Sequence, residues 1–166
     1  MSAQTIVADA GPLIALAVGG VLPASLAMLG ALAVPQEVLH ECCADPFASG
    51  AATIAAAQAA GGFEIIPHAK PNPLNATLAQ GLGSGEVAVL TYAMQHGLLA
   101  LVDERRARRA ASRLQVPVIG SGTVLAQLKL AGFITSVQPV FALWQQHGYF
   151  VAHAVQRDIL QLAGEG

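Results

Sequence analysis

Charged side chains are scarce in this sequence. They make up only 11% of its residues, against about a quarter in an average soluble domain. A chain with so little charge must leave apolar side chains on its surface, and such surfaces are usually covered by another protein or a second copy. We therefore expect a homodimer or another protein partner. The net charge of −2 gives no general attraction to nucleic acid, so any phosphate binding must be local.

Cysteine is almost absent, and one long stretch has no charge at all. The two cysteines, Cys42 and Cys43, are adjacent and could not pair without strain, which favours a reducing compartment. Residues 10–36 carry no charge, but three prolines and a Gly-Gly pair cut them into pieces shorter than a membrane span of about 20 residues. No basic segment precedes them, so we expect neither a span nor a signal peptide. The sequence predicts a cytoplasmic protein.

Short apolar strands alternate with helices along the chain. Strands are predicted at residues 4–8, 31–34, 63–66, 98–102 and 116–119. This alternation is typical of an α/β domain with a central parallel sheet and helices on both faces. No repeat or linker divides the chain, so residues 1–166 are predicted to form a single domain. Its C-terminal helices, about 136–163, either pack on that domain or lie at a dimer interface.

Residues 82–114 are the most informative stretch. Ser84 is predicted to cap a helix that carries Glu86 in its first turn, and Gly97 closes that helix. Residues 98–102 are wholly apolar, as expected for a strand buried on both faces, and Asp103 follows directly. Ligands of open α/β sheets bind at the carboxyl ends of the strands. Asp103 therefore stands where chemistry is expected.

The helix that follows is basic. Five of the eight basic residues lie between 105 and 113, and they occupy roughly 160° of its circumference opposite an alanine face. Such a face can be simply solvated, or it can bind phosphate. Arg105 and Arg109, one turn apart and nearest the strand end, are the candidates for phosphate binding.

Four of the ten acidic residues stand at positions where they could meet. Asp9 and Asp103 end strands, while Glu41 and Glu86 belong to helices that are otherwise mostly apolar. Carboxylates gathered in one cleft repel each other, and a bound divalent cation relieves that repulsion. Oxygen ligands favour Mg²⁺ or Mn²⁺. The alternative is structural: aspartates that cap helices, and glutamates that lie on the surface or near helix ends.

A glycine-containing loop offers a different function. Gly120, Ser121, Gly122 and Thr123 follow a predicted strand and open a helix, where backbone N–H groups can approach an anion. Leu125 stands where a dinucleotide-binding motif needs its third glycine, so only general phosphate or nucleotide binding is compatible with this loop.

Several segments resemble the PIN-domain superfamily. They are VADAGPLIAL at 7–16, VPQEVLHE at 34–41, GSGEVAVLTYA at 83–93, LVDERRARRAASRL at 101–114, VPVIGSGTVLAQLKLAGFI at 116–134 and LWQQHGYFVAHAVQRDIL at 143–160. Within the superfamily they look most like predicted nucleic-acid-binding proteins allied to VapC-type toxins. The resemblance spans nearly the whole chain and implies a PIN-like three-layer α/β/α fold.

The resemblance also implies a function. Asp9, Glu41, Glu86 and Asp103 would form the catalytic acidic quartet of an endoribonuclease. In it Asp9, Glu86 and Asp103 would bind Mg²⁺ or Mn²⁺, and Glu41 would orient water. RNA would be the substrate, and the protein would be the toxin of a toxin–antitoxin pair with an antitoxin as partner.

Three residues depart from the family pattern. Ala10 replaces a common Ser or Thr, and Ser121 and Thr123 stand where some relatives carry a further acid. These two hydroxyl groups can hold a phosphate or water but bring no charge. A degenerate PIN-like module that binds RNA or protein without cutting is therefore an alternative.

Overall fold

The structure is a computed structural model that describes residues 4–68, 76 and 80–166. The described part of the chain begins β1 (Ile6–Ala8), α1 (Ala10–Val18), α2 (Leu22–Leu29), β2 (Leu32–Pro35), α3 (Gln36–Cys43), α4 (Ala51–Ala59) and β3 (Glu64–Ile66). After the gap come α5 (Ser84–His96), β4 (Leu99–Leu101), α6 (Arg105–Arg113), β5 (Val118–Ile119), α7 (Ser121–Leu130), α8 (Gln138–Gln146) and α9 (His153–Leu162).

The five strands form one parallel sheet in the order β3-β2-β1-β4-β5. β1 lies at the centre, where Ile6 pairs with Leu32 of β2 on one side and with Leu99 of β4 on the other. The chain builds outward from β1 through β2 to β3, and then crosses to the other side of β1 to add β4 and β5. The boundary between β1 and β4 is therefore the point where the strand order reverses, and a cleft forms there at the carboxyl ends of the strands.

The sheet is sandwiched between layers of helices, which confirms the predicted three-layer α/β/α fold. β1 and β2 are buried along their whole length, as a parallel sheet covered on both faces requires. α5 packs on β1, β2 and β4 and also contacts α3. α5 also contacts α6, so the helices that follow β2 and β4 both lie beside α5.

The C-terminal helices pack on the rest of the domain. The buried Trp144 side chain of α8 donates a hydrogen bond from Nε1 to the Ala15 carbonyl oxygen at 2.7 Å. Near the end of the chain, Glu165 accepts hydrogen bonds from the Val137 N–H at 2.8 Å and the Ser136 hydroxyl at 2.7 Å. Because Glu165 holds the residues just before α8, α8 and α9 are tied to each other as well as to α1.

Some predicted details are wrong. Ser84 does not cap α5: Gly83 takes the cap position, and the Glu86 side chain reaches back to accept the Gly83 N–H at 2.8 Å. β5 begins at Val118 rather than 116, because Pro117 has no N–H to give to the sheet. The predicted loop at 67–74 lies mostly outside the described residues.

None of the helices in the described part of the chain is both long and apolar enough to cross a membrane.

Candidate active site

Two carboxylates end the neighbouring strands β1 and β4 at the reversal point of the sheet. Asp9 follows β1 directly, and its backbone N–H donates to the Leu101 carbonyl oxygen at 3.0 Å, which ties it to β4. Asp103 lies two residues beyond β4. Because the register between β1 and β4 fixes both chain ends, the two aspartates face one cleft.

Helices α3 and α5 bring two glutamates to the same cleft. The two helices approach closely at Gly85: a Cβ atom there would lie 3.1 Å from Val38 Cγ2, 3.2 Å from Glu41 Oε2 and 3.7 Å from Asp9 Oδ1. The absence of a side chain at Gly85 therefore lets Glu41 and Asp9 approach one another. The cleft has a volume of about 430 Å³, and five acids line it. They are the predicted quartet Asp9, Glu41, Glu86 and Asp103, together with the exposed Glu104.

Asp9 is the most perturbed of these acids. Its side chain is only 5% exposed. Burial, together with the negative charges of Glu86, Glu41 and Asp103, raises the pKa of Asp9 from 3.8 to about 6, although a hydrogen bond from the Ala10 backbone acts in the opposite direction. At neutral pH Asp9 is thus a buried carboxylate beside other negative charges, and a bound cation would relieve this cost.

Asp103 is held in place from the far side of the cleft. Its Oδ1 atom accepts the Ser121 N–H at 2.8 Å, and its Oδ2 atom accepts the Ser121 hydroxyl at 2.7 Å. The Tyr149 hydroxyl lies 3.4 Å from Oδ2, and burial and the charge of Asp103 raise the pKa of Tyr149 to about 12. Asp103 therefore cannot turn freely, since both of its oxygens are already bonded on one side.

The two glutamates are less constrained. Glu41 is exposed and Glu86 is half-buried, but the Glu86 carboxylate is engaged with the Gly83 N–H. Among residues 4–68, 76 and 80–166, no three acidic, histidine or cysteine side chains are arranged, as they stand, to hold a metal ion. The donor chemistry suits Mg²⁺ or Mn²⁺, because all four groups are carboxylates.

The structure separates the arginines of α6 by the direction they face. Arg106 lines the acidic cleft, whereas Arg105 and Arg108 line a second cleft on the other side of Asp103. Arg109 lines neither. At about 100° per residue it lies opposite the buried Ala107 and Ala111, so it points into solvent. Of the two candidates predicted from sequence, Arg105 thus lies at a cleft and Arg109 does not, because distance from the strand end does not give the direction of a side chain.

The Gly120–Thr123 loop lies beside this site. The Ser121 N–H, which a phosphate would need at the start of α7, already donates to Asp103. Ser121 is buried, and Thr123 lines the second cleft. The loop therefore positions Asp103, and nucleotide binding of the kind considered from sequence would have to compete with that carboxylate.

Tyr149 was missed as a site residue. The sequence places it 46 residues after Asp103 and close to two other aromatic residues, Trp144 and Phe150. Its ring packs on Trp144 with a centroid distance of 5.2 Å, while its hydroxyl reaches Asp103 and its side chain lines both clefts. No local pattern could have found it, because the contact exists only when the segment after α8 folds back over the sheet end.

Comparison with known proteins agrees with this architecture. No curated protein matches the sequence. A family model described as a PIN domain matches residues 5–165. Since this match covers nearly all of the chain, from β1 through α9, the protein belongs to the PIN-domain family.

Proposed function

We propose that this protein is a metal-dependent endoribonuclease that hydrolyses phosphodiester bonds of RNA in the acidic cleft. The observation that carries the proposal is that four carboxylates from four separate elements line one cleft, with Asp9 buried and its pKa raised. Acidic side chains that only keep a protein surface hydrated are exposed and well separated, so they do not have this electrostatic cost. Family membership supports the proposal, because it gives the chain a nuclease-type fold.

Mg²⁺ or Mn²⁺ would be held by Asp9, Glu86 and Asp103, with Glu41 orienting a water molecule. Such an ion, when bound, supplies positive charge that activates water and offsets charge on the phosphate. Asp9 contributes a buried negative charge that the bound metal ion would balance. Ser121 and Tyr149 keep the Asp103 carboxylate turned to a fixed direction.

Arginines on both sides of the acids would bind the RNA backbone. Arg106 lines the acidic cleft itself, and Arg105 lies just beyond Asp103. Their positive charge attracts the phosphates that the acidic cleft would otherwise repel. Local charge of this kind overcomes the net charge of −2.

We further propose that the protein is a cytoplasmic toxin of a type II toxin–antitoxin pair, held inactive by a cognate antitoxin, and that it forms a homodimer. The apolar composition supports a protein partner, and Phe47 and Phe150 are 95% and 82% exposed. The proposed catalytic activity requires neither the antitoxin nor a second copy of the chain.

The proposal is tested by incubating a mixed pool of single-stranded RNA with the protein in Mn²⁺, in Mg²⁺ and in EDTA. We expect cleavage in the presence of metal and none in EDTA. Asp103→Asn should lower cleavage at least a hundredfold, because an amide is a poorer metal ligand than a carboxylate. The amide NH₂ group also cannot accept a hydrogen bond, so one of the two hydrogen bonds from Ser121 is lost. Glu64→Gln, which removes an exposed carboxylate on the edge strand β3, serves as the matched control. Cleavage that persists in EDTA or in Asp103→Asn would refute the proposal.

A further inference from the structure

A second cleft adjoins the acidic one and shares two side chains with it. Asp103 and Tyr149 form the boundary between them. The second cleft has a volume of about 520 Å³ and is bounded by α6, the start of α7 and α9. Its size is within the range of pockets that bind small organic groups. A chain of nucleotides that crosses the acidic cleft would therefore have an adjacent space for one of its units.

One end of this second cleft carries two free cations. Arg105 and Arg108 line it, and within the described part of the chain neither is ion-paired. Arg108 leans over the loop before α7, where a Cβ atom at Gly120 would lie 3.2 Å from Arg108 Nη1 and 2.9 Å from Asp103 Oδ1. A guanidinium group this close to the acidic cleft suits a phosphate that is adjacent to the one being cut.

Part of the lining of the second cleft is apolar. Val151, Val155 and Ile159 line it, and Val155 is 47% exposed although it faces the cleft. Aliphatic side chains that line the same cleft as arginines match a nucleotide, which has a charged phosphate and a flat base whose faces are apolar. A free phosphate would use the arginines but would leave this wall exposed to water.

Asp158 is the unexpected member of this cleft. It lies on α9 directly before the buried Ile159 and lines the same apolar wall. It is exposed, and in the described part of the chain it forms no ion pair or hydrogen bond, so its carboxylate oxygens are open to a ligand. Its negative charge opposes phosphate binding. A carboxylate at this place can, however, accept hydrogen bonds from the base of a ligand.

We propose that this second cleft binds a guanine nucleotide of the RNA next to the cleaved bond, with Asp158 reading the base. Guanine presents two adjacent donors, N1–H and the N2 amino group, which the two oxygens of one carboxylate can accept together. Adenine, cytosine and uracil offer a single donor group on the corresponding edge. Arg105 and Arg108 hold the adjoining phosphate, and the aliphatic wall packs on the base. This inference rests on the proposed function, since it assigns the sequence preference of the same site.

The test measures binding in EDTA, so that cleavage does not enter. Four fluorescein-labelled hexaribonucleotides, AAANAA with N as each base, are titrated with wild-type protein, Asp158→Asn and the control Glu64→Gln, and anisotropy is recorded. We expect the guanine-containing hexamer to bind about tenfold more tightly than the others, as for a pair of hydrogen bonds to a charged group. Asp158→Asn should lose this preference, and Glu64→Gln should keep it.

A purely electrostatic role for Asp158 gives the opposite sign. Removing a negative charge near the arginines would then strengthen binding of all four hexamers equally, and this result would overturn the proposal. Equal binding of the four hexamers by the wild-type protein would also overturn it. Guanine preference without metal-dependent cleavage would support the base pocket and refute the proposed ribonuclease activity, whereas cleavage without guanine preference would do the reverse.

Discussion

Asp9→Asn is expected to stabilise the metal-free protein by about 3 kcal/mol at pH 8 while abolishing metal-dependent cleavage. The pKa of Asp9 is about 6 in the folded protein, against an ordinary value of 3.8. Each unit of difference corresponds to about 1.4 kcal/mol of folding free energy. The variant keeps a side chain of the same size but carries no charge, so the cost of a buried carboxylate disappears.

The stability advantage of Asp9→Asn over the wild-type protein should grow as the pH rises. Below pH 3.8 Asp9 is protonated in both the folded and the unfolded chain, so the variant gains nothing there. As the pH rises through about 6, the folded wild-type protein ionises Asp9 against its surroundings and loses stability that the variant retains. Urea unfolding in EDTA at several pH values should show the gap between the two proteins opening between pH 4 and 7.

Addition of Mn²⁺ should reverse the order of stability. A ligand that binds only the folded protein stabilises it in proportion to the logarithm of its concentration above the Kd. The wild-type protein should gain this stability, and Asp9→Asn should not. Equal unfolding free energies of the two metal-free proteins at pH 8 would show that Asp9 does not bear the burial cost described here.

Gly120→Ala is expected to lower both cleavage and Mn²⁺ affinity by about 10- to 100-fold. The new Cβ atom would lie 2.9 Å from Asp103 Oδ1, which is anchored by the Ser121 N–H and cannot withdraw without losing that hydrogen bond. Gly120 has an ordinary extended backbone with φ −109°, so alanine introduces no backbone strain of its own. Displacement of a metal ligand or its supporting contacts typically costs 10- to 100-fold in affinity or activity.

A double-variant cycle separates this local effect from general damage. Mn²⁺ affinity is measured for the wild-type protein, Gly120→Ala, Asp103→Asn and the combined variant. If the added methyl group acts through Asp103, it should change affinity much less once Asp103 has been replaced. Independent effects of equal size in both backgrounds would contradict this explanation.

The central part of the fold could be predicted because its signals are local. Short apolar segments ending in Asp9 and Asp103 indicated two buried parallel strands, and the sheet has β1 and β4 as neighbours. The resemblance named the four acids, and the strand register together with the contact between α3 and α5 brings them to one cleft. A repeating apolar pattern identifies strands and helices well, but it does not show which other elements a polar side chain contacts.

The remaining features depend on contacts between distant segments. The roles of Tyr149 and Asp158 require α8 and α9 to return over the carboxyl end of the sheet, and nothing near these residues in sequence indicates that path. Arg109 was chosen by its spacing, but the burial of Ala107 and Ala111 turns it away from both clefts. The hydroxyl of Ser121 was expected to meet water or phosphate, and it instead donates to Asp103.

The most direct test of the central claim is RNA cleavage by the wild-type protein with Mn²⁺ in ¹⁸O-labelled water, followed by mass spectrometry of the new ends. If the acidic cleft activates water for attack on phosphorus, each newly formed terminal phosphate monoester should carry one ¹⁸O atom from solvent. Neither EDTA-treated protein nor Asp103→Asn should form this product. Products that end in a 2′,3′-cyclic phosphate would contradict the account, because they would mean that the RNA's own 2′-hydroxyl group is the nucleophile.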